Sequence, residues 1–374
     1  MRRILLKTIK IVLLSLLGIG VLILCLGLGF RAYRQNQNAQ LLAIHTPNGI
    51  EEGMYVSIGG IEQWIQIRGE DRNNPILLFV HGGPGGSTLA ISSGWQPWEK
   101  YFTVVQWDER GTGRTYRKTG NSIAPTMTVD RMTQDGIEVA EFLRTHLHKD
   151  KVILVGHSWG SFLGIHMIKE RPDLFSAYVG TGQIVGWPSW KKQSELHHAR
   201  VVAAAQAANN LEALHELSTL NTLPGEKDHA VLIKWTRFFG LVLPYDERPV
   251  IKFRIPPPVM PDFSLLDWYY YIKGGRFSRN VIDGPNGLLL KADLRTLGLG
   301  FSVPIFFFEG TNDMLVPMEP AEQYFNEISA PHKEFVRFEK ADHFLPLNRP
   351  DEFLKELRSR VRPLAVPLNG NSSN

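Results

Sequence analysis

An α/β fold built on a doubly wound, mostly parallel sheet is predicted by three features of this 374-residue chain. Short aliphatic runs recur, PILLFV, FTVVQW, KVILVG and VPIFFF among them, as expected for strands covered on both faces. Segments of helical period separate them. Between Val129 and His148, apolar residues fall at Met132, Ile137, Val139, Ala140, Phe142, Leu143 and Leu147, behind Thr128 as N-cap. Two of the runs break directly into glycine, at HGGPGG and GHSWG, where the chain must turn sharply. Strands alternating with helices imply parallel pairing.

Taken in order, the chain opens on MRRILLKTIK and then Ile11–Phe30, twenty residues without a charge. At about 1.5 Å per residue this run covers the roughly 30 Å hydrocarbon core of a bilayer. Residues 1–34 are therefore expected to form a single-pass, uncleaved membrane anchor, with a cleaved secretory signal or a lipid-modified Cys25 as alternatives. Arg2, Arg3, Lys7 and Lys10 ahead of the run favour a cytoplasmic N-terminus and a domain outside the cytoplasm, a bias that Arg31 and Arg34 weaken. Residues 35–50 are polar and read as a linker. MYVSIGGIEQWIQIR reads as a hairpin about Gly59-Gly60.

The core of the fold is assigned to residues 51–183 and 297–364. Between them, 184–296 lose the alternation. WKKQSELHHARVVAAAQAANNLEALHELSTL is strongly helical, RIPPPVMP is a break, and FSLLDWYYYIKGG is an aromatic helix or strand. That segment is expected to be a helical cap inserted into the sheet domain, and 365–374 a disordered tail.

The formal charge of +4 is concentrated at the N-terminus. Beyond the six basic residues of the first 34, the body holds 35 basic against 37 acidic residues, so nothing marks a nucleic-acid surface. The single cysteine excludes an intramolecular disulfide and a cysteine zinc site. GGPGG lacks the Lys-Ser/Thr of a phosphate-binding loop. No metal or cofactor is expected.

Chemistry concentrates at Gly156-His157-Ser158-Trp159-Gly160. A G-x-S-x-G sequence between an aliphatic strand and a helix is the context of a nucleophile elbow, while its bland alternative is a serine that merely caps the helix. A serine nucleophile needs a base, and the base an orienting acid. Asp313 follows the strand VPIFFFEG by a short loop, and His343 follows KEFVRFEK. Glu309, Asp342 and Asp283 compete for the acid's role, but of these Asp313 lies on a turn past a strand end. The backbone N–H groups of Trp159 and Gly83 are the candidate oxyanion donors. His81 and His157 read as scaffold histidines.

HGGPGG, WDERGTGRT, GHSWGS, EGTNDMLVP and ADHFLPLNRPDEF resemble, in order and spacing, the proline iminopeptidase group of α/β-hydrolases. The likeness covers roughly residues 50 to 183 and 297 to 360. It implies Ser158, Asp313 and His343 as triad, Gly83 and Trp159 as oxyanion donors, and a helical cap. This chain has Asp108-Glu109-Arg110-Gly111 where the group usually has Asp-Gln-Arg-Gly. Its cap lacks a recognisable tryptophan- and glutamate-bearing motif by which typical members hold the substrate's free amine.

Three functions follow. An aminopeptidase must meet a protonated amine, whose pKa is near 8, with a carboxylate. Glu195, Glu212, Glu216 and Glu247 are the cap candidates, and Glu195 stands soonest after the sheet edge. An esterase or amidase acting on uncharged or lipophilic substrates would instead use cap aromatics such as Trp187, Trp190, Trp235 and Trp268. An inactive binding protein on the same fold is the alternative from another class.

Overall fold

The computed structural model describes residues 2–220, 226–239, 255–282 and 287–366. Eight strands form one sheet: β1 (Ile50–Ile58), β2 (Ile61–Gly69), β3 (Ile76–Val80), β4 (Thr103–Asp108), β5 (Val152–His157), β6 (Phe175–Thr181), β7 (Ile305–Gly310) and β8 (Lys333–Phe338). Their order is β1-β2-β4-β3-β5-β6-β7-β8. The first two pairings, β1 with β2 and β2 with β4, are antiparallel, and the rest are parallel. The hairpin turns at Gly59 and Gly60, with φ of 57° and 73°, the left-handed pair that suits the twist of the flanking strands.

Alternate residues of the central strands are buried on opposite faces. Leu78, Val80, Leu154 and Phe307 enter one core, and Leu77, Phe79, Val155 and Phe306 the other. This double burial is why those strands are continuously apolar in sequence.

Helix α1 (Arg2–Leu42) contains the apolar run. It does not give way to a loose linker after Arg34. Arg31, Gln35, Asn38 and Leu42 share one helical face, and three of them donate to backbone carbonyls of a distant segment: Arg31 to Pro258 and Phe263, Gln35 to Met260, Asn38 to Val259, at 2.6 to 3.0 Å. These polar residues satisfy carbonyls of an irregular stretch, so the helix persists to Leu42.

Along the core, α2 (Gly113–Thr119), α3 (Val129–Leu147) and α4 (Trp159–Glu170) follow the strands. Thr128 caps α3 by accepting from Arg131 N. Between β6 and β7 the described residues hold α5 (Trp187–Ala207), α6 (Leu211–Ser218), α7 (Glu226–Phe238) and α8 (Leu265–Ile282). Val201, Ala205, Ala213, Leu217, Leu232 and Trp235 give the first three their own small core. The aromatic stretch is helix, not strand. Ser264 and Asp267 accept each other's backbone N–H at 3.0 and 2.9 Å, a reciprocal cap that starts α8. After β7 comes α9 (Met318–Glu327).

Candidate active site

Ser158 stands between the end of β5 and the start of α4 with φ 53° and ψ −119°, a strained conformation for a residue bearing a side chain. The flanking glycines leave no room for a substituent. A Cβ on Gly156 would lie 2.5 Å from Gly160 O, and one on Gly160 2.1 Å from Val80 O. Ser158 N donates to Thr181 O at 2.9 Å, which ties the elbow to the end of β6.

Asp313 and His343 come from the neighbouring strands β7 and β8, whose parallel register brings their C-terminal loops side by side. His343 Nδ1 donates to Asp313 Oδ2 at 2.7 Å, and both groups are buried. Asp313 Oδ1 accepts from the N–H of Leu315 and Val316 at 2.9 and 2.7 Å. The carboxylate is thereby held by its own turn. With the Nδ1–H donated to the Asp313 carboxylate, the neutral ring keeps its lone pair on Nε2. Burial alone would push the His343 imidazole down. The charge and hydrogen bond of Asp313, with Asp342 adding to them, hold it above its ordinary value.

Gly182 joins the elbow to this pair. It follows Thr181 with φ 56°, and a Cβ there would sit 2.8 Å from His343 Cε1 and 3.5 Å from Asp313 Oδ2. His157, next to the serine, donates from Nε2 to His343 O at 2.8 Å. Burial lowers His157 to about 3 and His81 to about 4, so both rings stay neutral at neutral pH. The loop after β3 lies against the elbow, where a Cβ on Gly82 would meet Ser158 Cβ at 2.8 Å. Gly83 follows with φ 129°, and Trp159 opens α4.

The competing acids have other partners. Glu309, fully buried, accepts from Gly182 N and Gln183 N at 3.1 and 3.0 Å. Burial, with the charge of Asp313 adding to it, raises it well above the usual carboxylate range. Asp342 is held by Phe344 N at 3.0 Å and by Asn348 Nδ2. Asp283 lies outside the described residues, as does Glu247. Glu195 is half-exposed on α5 with Lys192 at 4.0 Å, and no hydrogen bond or ion pair connects it with Asp313 or His343.

Two further residues support the site without having been picked out from sequence. Arg200 of α5 donates to Asp313 O at 3.3 Å, an ordinary helix arginine until the cap folds over. Gln183 holds the turn that Glu309 grips, and its only signal in sequence is a polar residue just past the end of a strand. Glu109, in the Asp-Glu-Arg-Gly stretch, is buried and accepts the indole N–H of Trp159 at 3.0 Å.

The α/beta hydrolase fold family model matches residues 75–350. Probable aminopeptidase YbaC of Bacillus subtilis (strain 168) is 31% identical over 313 residues, covering 82% of this chain and 95% of the relative. A proline iminopeptidase of Saccharolobus solfataricus is 34% identical over 327 residues, 83% of this chain and 92% of that one. The crystal structure of proline iminopeptidase from Mycobacterium smegmatis superposes with a TM-score of 0.60 at 16% identity, over 84% of this chain and 99% of that one. Matched over most of its length by the family model and by both relatives, the chain belongs to the α/β hydrolase fold family and is a hydrolase of its proline iminopeptidase-like group.

Proposed function

We propose that the chain is a serine hydrolase acting through an acyl-enzyme, and that its substrates are peptides from which it releases N-terminal residues. The observation that carries the serine chemistry is the 2.7 Å Asp313–His343 hydrogen bond beside the strained Ser158 turn. In this reading, Ser158 Oγ attacks the scissile carbonyl and gives its proton to His343 Nε2. The N–H groups of Trp159 and Gly83 take the negative charge that forms on the carbonyl oxygen. His343 then returns the proton to the departing amine as the C–N bond breaks. A water molecule, deprotonated by the same ring, cleaves the ester on Ser158 and restores the hydroxyl. Ser158→Ala should abolish labelling by a fluorophosphonate and remove hydrolysis by several orders of magnitude with an unchanged far-UV spectrum. Normal turnover by the purified variant would refute the mechanism.

The aminopeptidase specificity is supported by the two relatives, which are named for that activity over most of the chain. It needs a carboxylate for the substrate ammonium, and we assign this to Glu195. Its contact with Lys192 at 4.0 Å on an open helix surface is weak, so the side chain can turn to a ligand. Glu195→Gln should cost roughly 2–5 kcal/mol in kcat/KM for free-amine anilides and little for a neutral aryl ester. An unchanged ratio of the two substrates would remove Glu195 from the site.

An esterase or amidase on uncharged substrates is the second reading, favoured by the engagement of two further cap carboxylates, Glu212 and Glu216. Lys234 pairs with both Glu212 and Glu216, and Glu216 also accepts the Trp235 indole N–H at 2.8 Å. Equal turnover of N-acetylated and free anilides would select it.

For α1 we propose a single-pass anchor that leaves the hydrolase domain outside the cytoplasm, on the strength of its charge-free run and the four basic residues ahead of it. The intact chain should leave the membrane only with detergent, and protease added to spheroplasts should digest the domain. Recovery in the soluble fraction would count against an anchor.

A further inference from the structure

Helix α8 is two-faced in an unusual way. At 100° per residue, Asp267, Gly274, Gly275, Ser278 and Ile282 fall on its buried side. The opposite side carries Leu265, Leu266, Tyr269 and Ile272, exposed by 56, 45, 53 and 50%. Lys273 and Arg276, both exposed, continue the same face one turn further on. Four large apolar side chains in one stripe on a surface helix mark a surface that another body covers. A stripe that runs into cations is the composition of a helix lying in a lipid headgroup layer.

The fold supplies the membrane beside it. The apolar run of α1 ends at Phe30, and the very next residue, Arg31, donates to Pro258 O at 3.0 Å and to Phe263 O at 2.6 Å. Leu265 is two residues beyond Phe263, at most about 7 Å of extended chain. Leu42, Met260, Phe263, Trp268 and Tyr271 pack together, so the start of α8 is built onto the helix where it leaves the hydrocarbon. Arg31 and Arg34 add to the positive charge there, against Asp262 as the exposed acid of this stretch.

We infer that the Leu265–Ile272 face of α8 rests on the bilayer that holds α1, with Lys273 and Arg276 on anionic lipid headgroups; this rests on the anchor reading of α1. The buried side of the same helix packs on the active-site loops. Ser278 Oγ donates to Gly111 O at 2.9 Å, and a Cβ on Gly275 would be 3.2 Å from Gly85 O. The membrane contact thus seats the cap directly over the loop that carries Gly83, and the site takes substrates presented at the lipid surface.

The test uses the full chain reconstituted into vesicles of phosphatidylcholine and phosphatidylglycerol in equal parts, with an environment-sensitive fluorophore on one cysteine at a time. The probe sits on the native Cys25, or, in a Cys25→Ser background, on Ile272→Cys or on Ser359→Cys in the exposed C-terminal segment. Lipids spin-labelled on the acyl chain should quench most of the emission from residue 272 and leave residue 359 bright. Adding Lys273→Glu and Arg276→Glu should restore most of the emission at 272. Residue 272 unquenched while Cys25 is quenched would overturn the proposal and leave the anchor standing. Both unquenched would overturn the anchor and the proposal with it. A blue shift at 272 without quenching would mean that a protein, such as a second copy of this chain, covers the face, and would equally overturn it.

Discussion

Glu109 sits where a carboxylate has no charge to meet: it is buried, its Oε2 takes the Trp159 indole N–H, and its Oε1 is 3.3 Å from the neutral His81. Burial, with the charges of Asp108 and Asp135 adding to it, raises it well above the carboxylate range, so the folded protein holds the proton that the unfolded chain releases near pH 4.3. Stability from this group is full below that pH and is lost as pH rises above it, by up to about 1.4 kcal/mol per unit. Glu109→Gln keeps an acceptor for Trp159 and has no proton to lose. The melting-temperature difference between E109Q and wild type should therefore move in the variant's favour as pH rises from about 5 to about 8, and a pH-independent difference would refute the argument. The neighbouring case has the opposite use. His343 must be neutral to accept a proton, so kcat/KM should fall as pH drops through a value above the ordinary imidazole range of about 6.5. Because the Asp342 charge helps to hold that value up, Asp342→Asn should shift the acid limb to lower pH. A limb that stays in place would mean Asp342 is silent at the site.

Elements were legible to different depths, and the reason is locality. The elbow could be read from five residues because its constraint is local: strand, left-handed serine, helix, with glycine where backbones touch. Gly160→Ala would push a methyl into Val80 O at 2.1 Å and His81 O at 2.7 Å, displacing the loop that leads to Gly83. A loss of about 3 kcal/mol, the upper range for overpacking, should accompany failure of fluorophosphonate labelling. Gly94→Ala, with no atom within 4 Å of its Cβ, should change neither, and equal behaviour of the two in thermal melts would sink the steric account. FSLLDWYYYIKGG stayed ambiguous between helix and strand, since aromatics suit strands by propensity while the Ser264–Asp267 cap and the packing of Gly274 and Gly275 demand a helix. Residues 35–42 looked like linker because a polar helical face reads as solvated until its partner is known.

At the scale of the molecule, that partner is the cap segment, to which helix α1 is hydrogen-bonded through Arg31, Gln35 and Asn38. Arg31→Ala removes donors to two cap carbonyls and should lower the stability of the detergent-solubilised chain by about 1–2 kcal/mol, measured by urea unfolding; no change would mean that the docking is incidental. The sequence by itself determined the parallel sheet and the glycine-flanked elbow, because each depends on contiguous residues: apolar runs buried on both faces, and glycines at a turn. The sequence favours Asp313 as the acid by its turn past a strand end, and the tertiary structure sets that carboxylate against His343. Asp313 and His343 are 30 residues apart, and Glu309 and Asp342 are equally acidic in sequence. The register of β7 on β8 sets Asp313 against the ring and turns Glu309 toward Gly182 and Gln183. It likewise decided that Arg31, Gln35 and Asn38 face cap carbonyls, because a hydrogen bond across 221 residues or more leaves no periodic trace in the chain that forms it.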